Sequence, residues 1–216
     1  IDNVYRRERA KDELPQSGSG RMIMTTEPKF VPEEAAEIKL EGGAACSVRL
    51  IDCVGYIVDG ANGLTEDGEE RMVMTPWSKE PMPFTQAAEF GTQKVIHDHS
   101  TVGVVVTTDG SFGELERGVY LEAEERTIRE LKEIGKAFVV LVNSIHPYSE
   151  ETINVVQEIR DKYDVEVMAV NASQLRKEDI LEIMERILRA FPVSQIEFNL
   201  PKWVEMLPNS HWLKAE

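Results

Sequence analysis

An α/β fold with a mostly parallel sheet, an antiparallel hairpin and helices on both faces is predicted by three features of the sequence. Apolar runs rich in β-branched residues alternate with segments of helical period from Thr85 to Phe191;. Upstream, two alternating segments, 37–40 and 47–52, flank Gly42-Gly43 as the strands of a hairpin do;. The strands are separated by helices, which demands right-handed βαβ crossovers and hence parallel neighbours.

In chain order, the first forty residues are polar and broken by Pro15, Gly18, Gly20, Pro28 and Pro32;. The second hairpin strand ends at Asp52, and a loop rich in glycine and proline follows from Val54 to Pro83. Loops beyond about 12–15 residues are usually functional or disordered. A helix is expected over 85–99, a strand over 102–108, a helix over 119–134 and a strand over 137–143. Ser149 has the chemistry of an N-cap for the next helix, and 165–170 reads as a further strand;. From Lys177, Ile180, Ile183, Met184, Ile187, Leu188 and Phe191 share one helical face until Pro192 stops it;. Residues 1–192 therefore read as one domain, with 193–216 as the start of a following domain or a C-terminal extension; 193–200 has strand character.

A hydrophobic content of 42% is enough to bury a core, and a formal charge of −15 opposes nucleic-acid binding or attachment to an acidic membrane surface;. Two cysteines, Cys46 and Cys53, make no disulfide framework;. Asn171-Ala172-Ser173 matches a glycosylation sequon, a three-residue pattern read as coincidence. No apolar run approaches the roughly 20 residues of a membrane helix, so no transmembrane segment is expected;.

The chemistry centres on the stretch VRLIDCVGYIVDG, residues 48–60. Ligands of parallel α/β sheets sit beyond the carboxyl ends of the strands, where Asp52 falls. A carboxylate there suits Mg2+, a hard ion that keeps several waters. Gly55, three residues on, lets a backbone amide approach a terminal phosphate. DxxG alone also fits an ordinary strand-to-loop turn. Upstream, Thr25 and Thr26 lie in the loop entering the hairpin, where P-loop GTPase-like enzymes place a threonine that senses the metal and the attacking water;. The hairpin, the DxxG and the βαβα order together favour a P-loop NTPase-like fold.

Longer strings are more specific. Asp12-Glu13-Leu14-Pro15-Gln16-Ser17, 23–32 (IMTTEPKFVP), Asp52-Cys53-Val54-Gly55-Tyr56, Thr75-Pro76-Trp77, His99-Ser100-Thr101, Thr107-Thr108-Asp109-Gly110, Glu122-Ala123-Glu124-Glu125-Arg126 and Asn209-Ser210-His211-Trp212-Leu213 resemble the stage IV sporulation protein A family of endospore-forming bacteria. The resemblance spans nearly the whole chain. It implies an ATPase, related to translation-factor GTPases, whose hydrolysis of ATP drives self-assembly into the coat basement layer on the forespore surface. It also implies the mother-cell cytoplasm as location. The partners implied are other copies of the chain, other spore-coat proteins and a small membrane-bound sporulation peptide. Carried over by residue, Thr25 and Thr26 are the catalytic switch threonines, Asp52 with Thr26 serves Mg2+, and Gly55 and Asn143 contact ATP.

Two positions depart from translation GTPases. Tyr56 stands where those enzymes carry a water-orienting histidine. Asn143-Ser144-Ile145-His146 replaces NKxD, so the carboxylate that selects guanine is lost, in agreement with ATP. No GxxxxGK[ST] occurs in the chain; in the family it precedes the segment that begins here;. The first strand and the P-loop are thus expected upstream of Ile1, this piece alone is expected to bind ATP weakly, and an apolar sheet edge is expected to lie open.

Two other functions fit parts of the pattern: a structural polymer subunit with vestigial nucleotide chemistry, and a GTPase switch. Several residues read as ordinary. His97 and His99 are two apart and share no helix face. Glu122, Glu124, Glu125, Glu130 and Glu133 read as a solvated acidic face, and Glu69, Glu70 and Arg71 as surface charge. Trp77 is a candidate assembly anchor, Trp203 and Trp212 pack the C-terminal piece, and Arg21 or Lys29 is a candidate phosphate finger;.

Overall fold

The structure, a computed structural model, describes residues 29–39, 45–61, 63–66, 68–75, 78–191, 207, 208 and 211. The expectations for Thr25, Thr26, Arg21, Trp77, Trp203, Trp212 and the strand at 193–200 lie outside these residues, as does the side chain of Lys29.

Strands β1 (Lys29–Lys39) and β2 (Ala45–Asp52) form the expected antiparallel hairpin. The register shifts between Val31 and Ala36, around Pro32, which has no N–H to give to a ladder;. Lys29 pairs with Asp52, so β1 opens beside the carboxylate that closes β2.

The long loop is less irregular than its composition suggests. It holds β3 (Thr65–Glu66) paired with β4 (Glu69–Glu70), and β5 (Met72–Val73) paired with β6 (Met82–Pro83), both antiparallel. Two-residue strands leave no periodicity to read. Arg71 is not plain surface charge: its guanidinium lies 4.7 Å from the centroid of the fully buried Phe84 ring;.

Helix α1 (Phe84–Lys94) runs into a five-residue π turn, Val95–His99. Then come β7 (Gly103–Thr108), a 3₁₀ turn, Arg117–Tyr120, and α2 (Leu121–Glu133). They are followed by β8 (Phe138–Asn143), α3 (Glu150–Tyr163), β9 (Val167–Val170) and α4 (Lys177–Ala190). Ser149 caps α3 as expected, accepting from the Thr152 amide at 3.3 Å.

Strands β7, β8 and β9 form a parallel sheet in that order. Strand β8 is central and apolar on both faces, the mark of a strand covered twice. Val140 and Val142 pack with Ile128 and Leu131 of α2 and Ile159 of α3. Val139 and Leu141 pack with Ile183 and Ile187 of α4. Helices on both faces follow from this alternation. The outer edge of β7 pairs with no strand among the described residues, and on the face that α4 packs over β8, Val104 and Val106 stay 40% and 62% exposed;. The hairpin and the parallel sheet share no strand pairing among the described residues.

The acidic run on α2 is divided. Glu122 and Glu133 face solvent, but Glu124 is buried. Its carboxylate accepts from Arg117 at 2.7 and 3.1 Å and from the Thr107 hydroxyl at 2.7 Å. The solvated reading of Glu124 is corrected by this ion pair, which clamps the start of α2 to the carboxyl end of β7. Glu130 is also engaged, by Tyr56 and His97.

Candidate functional site

Asp52 terminates β2 and is exposed. The chain then turns inward: burial pushes the Cys53 thiol up, with the neighbouring Asp52 charge adding to it. Gly55 has φ +82, and a Cβ built there meets no atom within 4 Å. Glycine is therefore required by the left-handed backbone rather than by crowding, and the space around its backbone is open to a ligand.

Tyr56 does not project freely from this turn. Its hydroxyl donates to Glu130 of α2, and Arg126 of α2 lies 4.1 Å from its ring centroid;. Burial, followed by the Glu130 hydrogen bond and charge, drives its phenol well above the ordinary range;. Glu130 also meets His97 at 2.9 Å, and the His99 ring packs edge-on to Phe30 at 5.9 Å. Both histidines thus fasten the π turn to its neighbours. Tyr56 in turn fastens the DxxG segment to α2, a role that leaves it neutral and engaged.

The carboxyl ends of β7, β8 and β9 carry a second, denser cluster. After β7, the Asp109 carboxylate accepts from the Ser111 amide at 2.9 Å, the Ser111 hydroxyl at 2.6 Å and the Thr152 hydroxyl at 2.7 Å. Burial works to raise the Asp109 carboxyl, but the hydrogen bonds from Ser111, Ser144 and Thr152 together outweigh it and hold it at about 2;. After β8, the fully buried Ser144 takes the His146 amide at 2.9 Å, and Ser111 takes the Ile145 amide at 3.0 Å. Asn143 is half-buried, and its side-chain oxygen accepts from the Ala172 amide at 2.9 Å, joining the β8 and β9 loops. Asn171 caps the short turn after β9 through Ser173, and its amide reaches the Ile145 carbonyl at 3.4 Å. At Gly110, φ is +91 and a Cβ would lie 2.9 Å from the Arg117 amide, so only glycine passes;.

Of the residues expected to act, Asp52 and Gly55 sit together after β2, whereas Asn143 ends β8 in the other sheet. Asp109, Ser111, Ser144 and Thr152 had no assigned role in the sequence reading. Thr107-Thr108-Asp109-Gly110 figured only in the family resemblance, and Asn171-Ala172-Ser173 only as a sequon. The available signal was that Asp109, Ser144 and Asn171 each follow directly on an apolar strand; Thr152, inside α3, carries none.

The donor chemistry can be tested against Mg2+. Among the described residues no three His, Cys, Asp or Glu gather into a metal cluster. A lone exposed carboxylate fits magnesium, which binds through one or two carboxylates while phosphate and water fill the other positions. Asp52 meets that requirement.

A parallel α/β sheet, an antiparallel hairpin ending on a carboxylate and polar loops at the strand ends define a P-loop NTPase-like domain. Residues 1–192 match the family model for the ATPase domain of stage IV sporulation protein A. The chain belongs to that family. It is 52% identical over 215 residues to stage IV sporulation protein A of Clostridioides difficile (strain 630), covering 100% of this chain and 44% of the relative. The match to the same-named protein of Bacillus subtilis (strain 168) is 50% identical, and that of Bacillus anthracis 49%, each over 99% of this chain and 44% of the relative. The chain therefore spans less than half the length of these relatives. No solved structure matches. Among the described residues no helix is long and apolar enough to cross a membrane.

Proposed function

We propose that this chain belongs to a Mg2+-dependent ATPase whose hydrolysis of ATP drives its own assembly into the basement layer of the spore coat. The observation that carries the reading is Asp52 at the carboxyl end of β2, followed by the left-handed Gly55 and paired across the hairpin with Lys29. Thr26 lies three positions before Lys29 in the sequence. Asp52 and the Thr26 hydroxyl would hold Mg2+, which neutralises charge developing on the terminal phosphate. Thr25 and Thr26 would orient the attacking water, and the Gly55 amide would donate to the terminal phosphate. Asn143, at the end of β8 where the sequence replaces NKxD, would contact the nucleotide base.

Among the described residues no strand pairs with the outer edge of β7, which supports a further strand beside it in the longer protein;. Residues 1–192 are proposed as an NTPase-like domain lacking the P-loop motif, and 193–216 as the start of a following domain or a C-terminal extension. The partners proposed are further copies of the chain, other coat proteins and a small membrane-bound sporulation peptide, met in the mother-cell cytoplasm at the forespore surface.

The role of the threonines is tested by Thr25→Ala with Thr26→Ala in the full-length protein. ATP should still bind, with turnover lowered on the order of 100-fold. Wild-type turnover in the double variant would reject the assignment.

A further inference from the structure

We propose that Asp109 is the positioning residue for the nucleotide base: through Ser111, Ser144 and Thr152 it fixes the Ile145–His146 segment against which an adenine nucleotide is read. The proposal rests on the ATP reading above and assigns one contributor to base affinity.

An ionised carboxylate only accepts hydrogen bonds, and a hydroxyl has one proton to give. Ser111 gives its proton to one Asp109 oxygen at 2.6 Å, and Thr152 gives its proton to the other at 2.7 Å. Ser144 turns its proton to the same side, where Asp109 and the Thr152 oxygen at 3.1 Å both accept; the Thr152 oxygen also lies 3.0 Å from the Ser149 hydroxyl and 3.0 Å from the His146 carbonyl. With these protons drawn toward Asp109, the lone pairs of Ser111 and Ser144 point the other way. There they meet the Ile145 amide at 3.0 Å and the His146 amide at 2.9 Å. The carboxylate thus sets the polarity of the whole chain of bonds.

The result is a loop fixed from beneath and open above. The backbone of Ile145 and His146 is clamped while both side chains are exposed at the carboxyl end of β8. Ligands of such sheets bind on that side. A rigid backbone presenting outward side chains is the arrangement that binds without an ordering cost.

Asp109→Asn is nearly isosteric but replaces one acceptor oxygen by a donor, so it reverses one hydroxyl without emptying the site. In the full-length protein we expect KM for ATP to rise about tenfold, the worth of roughly one hydrogen bond, with kcat at saturating ATP within about twofold. Hydrogen exchange at the Ile145 and His146 amides should accelerate. Inhibition by inorganic tripolyphosphate, which has no base, should be unchanged. Ser111→Ala should reproduce the pattern through Ile145 alone. Unchanged KM, or equal weakening of ATP and tripolyphosphate, overturns the positioning role while leaving the ATP reading intact. A wild-type protein that binds no ATP overturns that reading, and the proposal with it.

Discussion

Asp52→Asn in the full-length protein is expected to lower Mg2+-dependent ATP turnover on the order of 100-fold or more, the usual loss when charge stabilisation of a transferring phosphate is removed. The substitution keeps the shape of the side chain and removes its charge. Asp52 is exposed and ends a strand, so the fold has little stake in it. Far-ultraviolet circular dichroism should match wild type, and excess Mg2+ should restore part of the lost rate by mass action. Steady-state phosphate release across a magnesium titration measures this. An unchanged rate at every Mg2+ concentration would make Asp52 an ordinary strand terminus.

The second large effect is on stability. Arg117→Met leaves the Glu124 carboxylate, whose side chain is 2% exposed, with only the Thr107 hydroxyl as a partner. Breaking a buried ion pair from one side costs about 3–5 kcal/mol. For a domain of this size that lowers the melting temperature by roughly 6–20 °C. Arg117→Met combined with Glu124→Leu should recover most of the loss, because no buried charge then remains unpaired. Thermal unfolding of the two variants beside wild type decides it. Single and double variants melting together would show that packing, not charge, accounts for the cost.

The parts of this fold legible in the sequence are those whose signal is local. Strand β8 shows as an unbroken apolar run because both its faces are covered, and Ser149 is readable because a cap lies within three residues of its partner. Helix α4 is readable because Ile183 and Ile187 repeat at the helical period. Four neighbouring glutamates give Glu124 the look of a solvated face, while its cation, Arg117, precedes the helix and folds back across the turn. The two-residue strands between Val54 and Pro83 carry no period at all. The site divides in the same way. Asp52 and Gly55 form one short motif on one strand end and can be seen in a line of sequence. The Asp109 cluster joins segments around 109–111, 143–146, 152 and 171–173, which only the parallel sheet brings to one side. Tyr56 stands at the histidine position of translation GTPases; its engagement with Glu130 depends on a helix residue 74 positions away, which no local pattern encodes.

ATP hydrolysis at the end of β2 is proposed to power assembly. Light scattering by the full-length protein, followed with ATP, with GTP and without nucleotide in the presence of Mg2+, tests it most directly. Scattering should grow with ATP alone and keep pace with phosphate release. Growth of equal extent without nucleotide, or a preference for GTP, would contradict it.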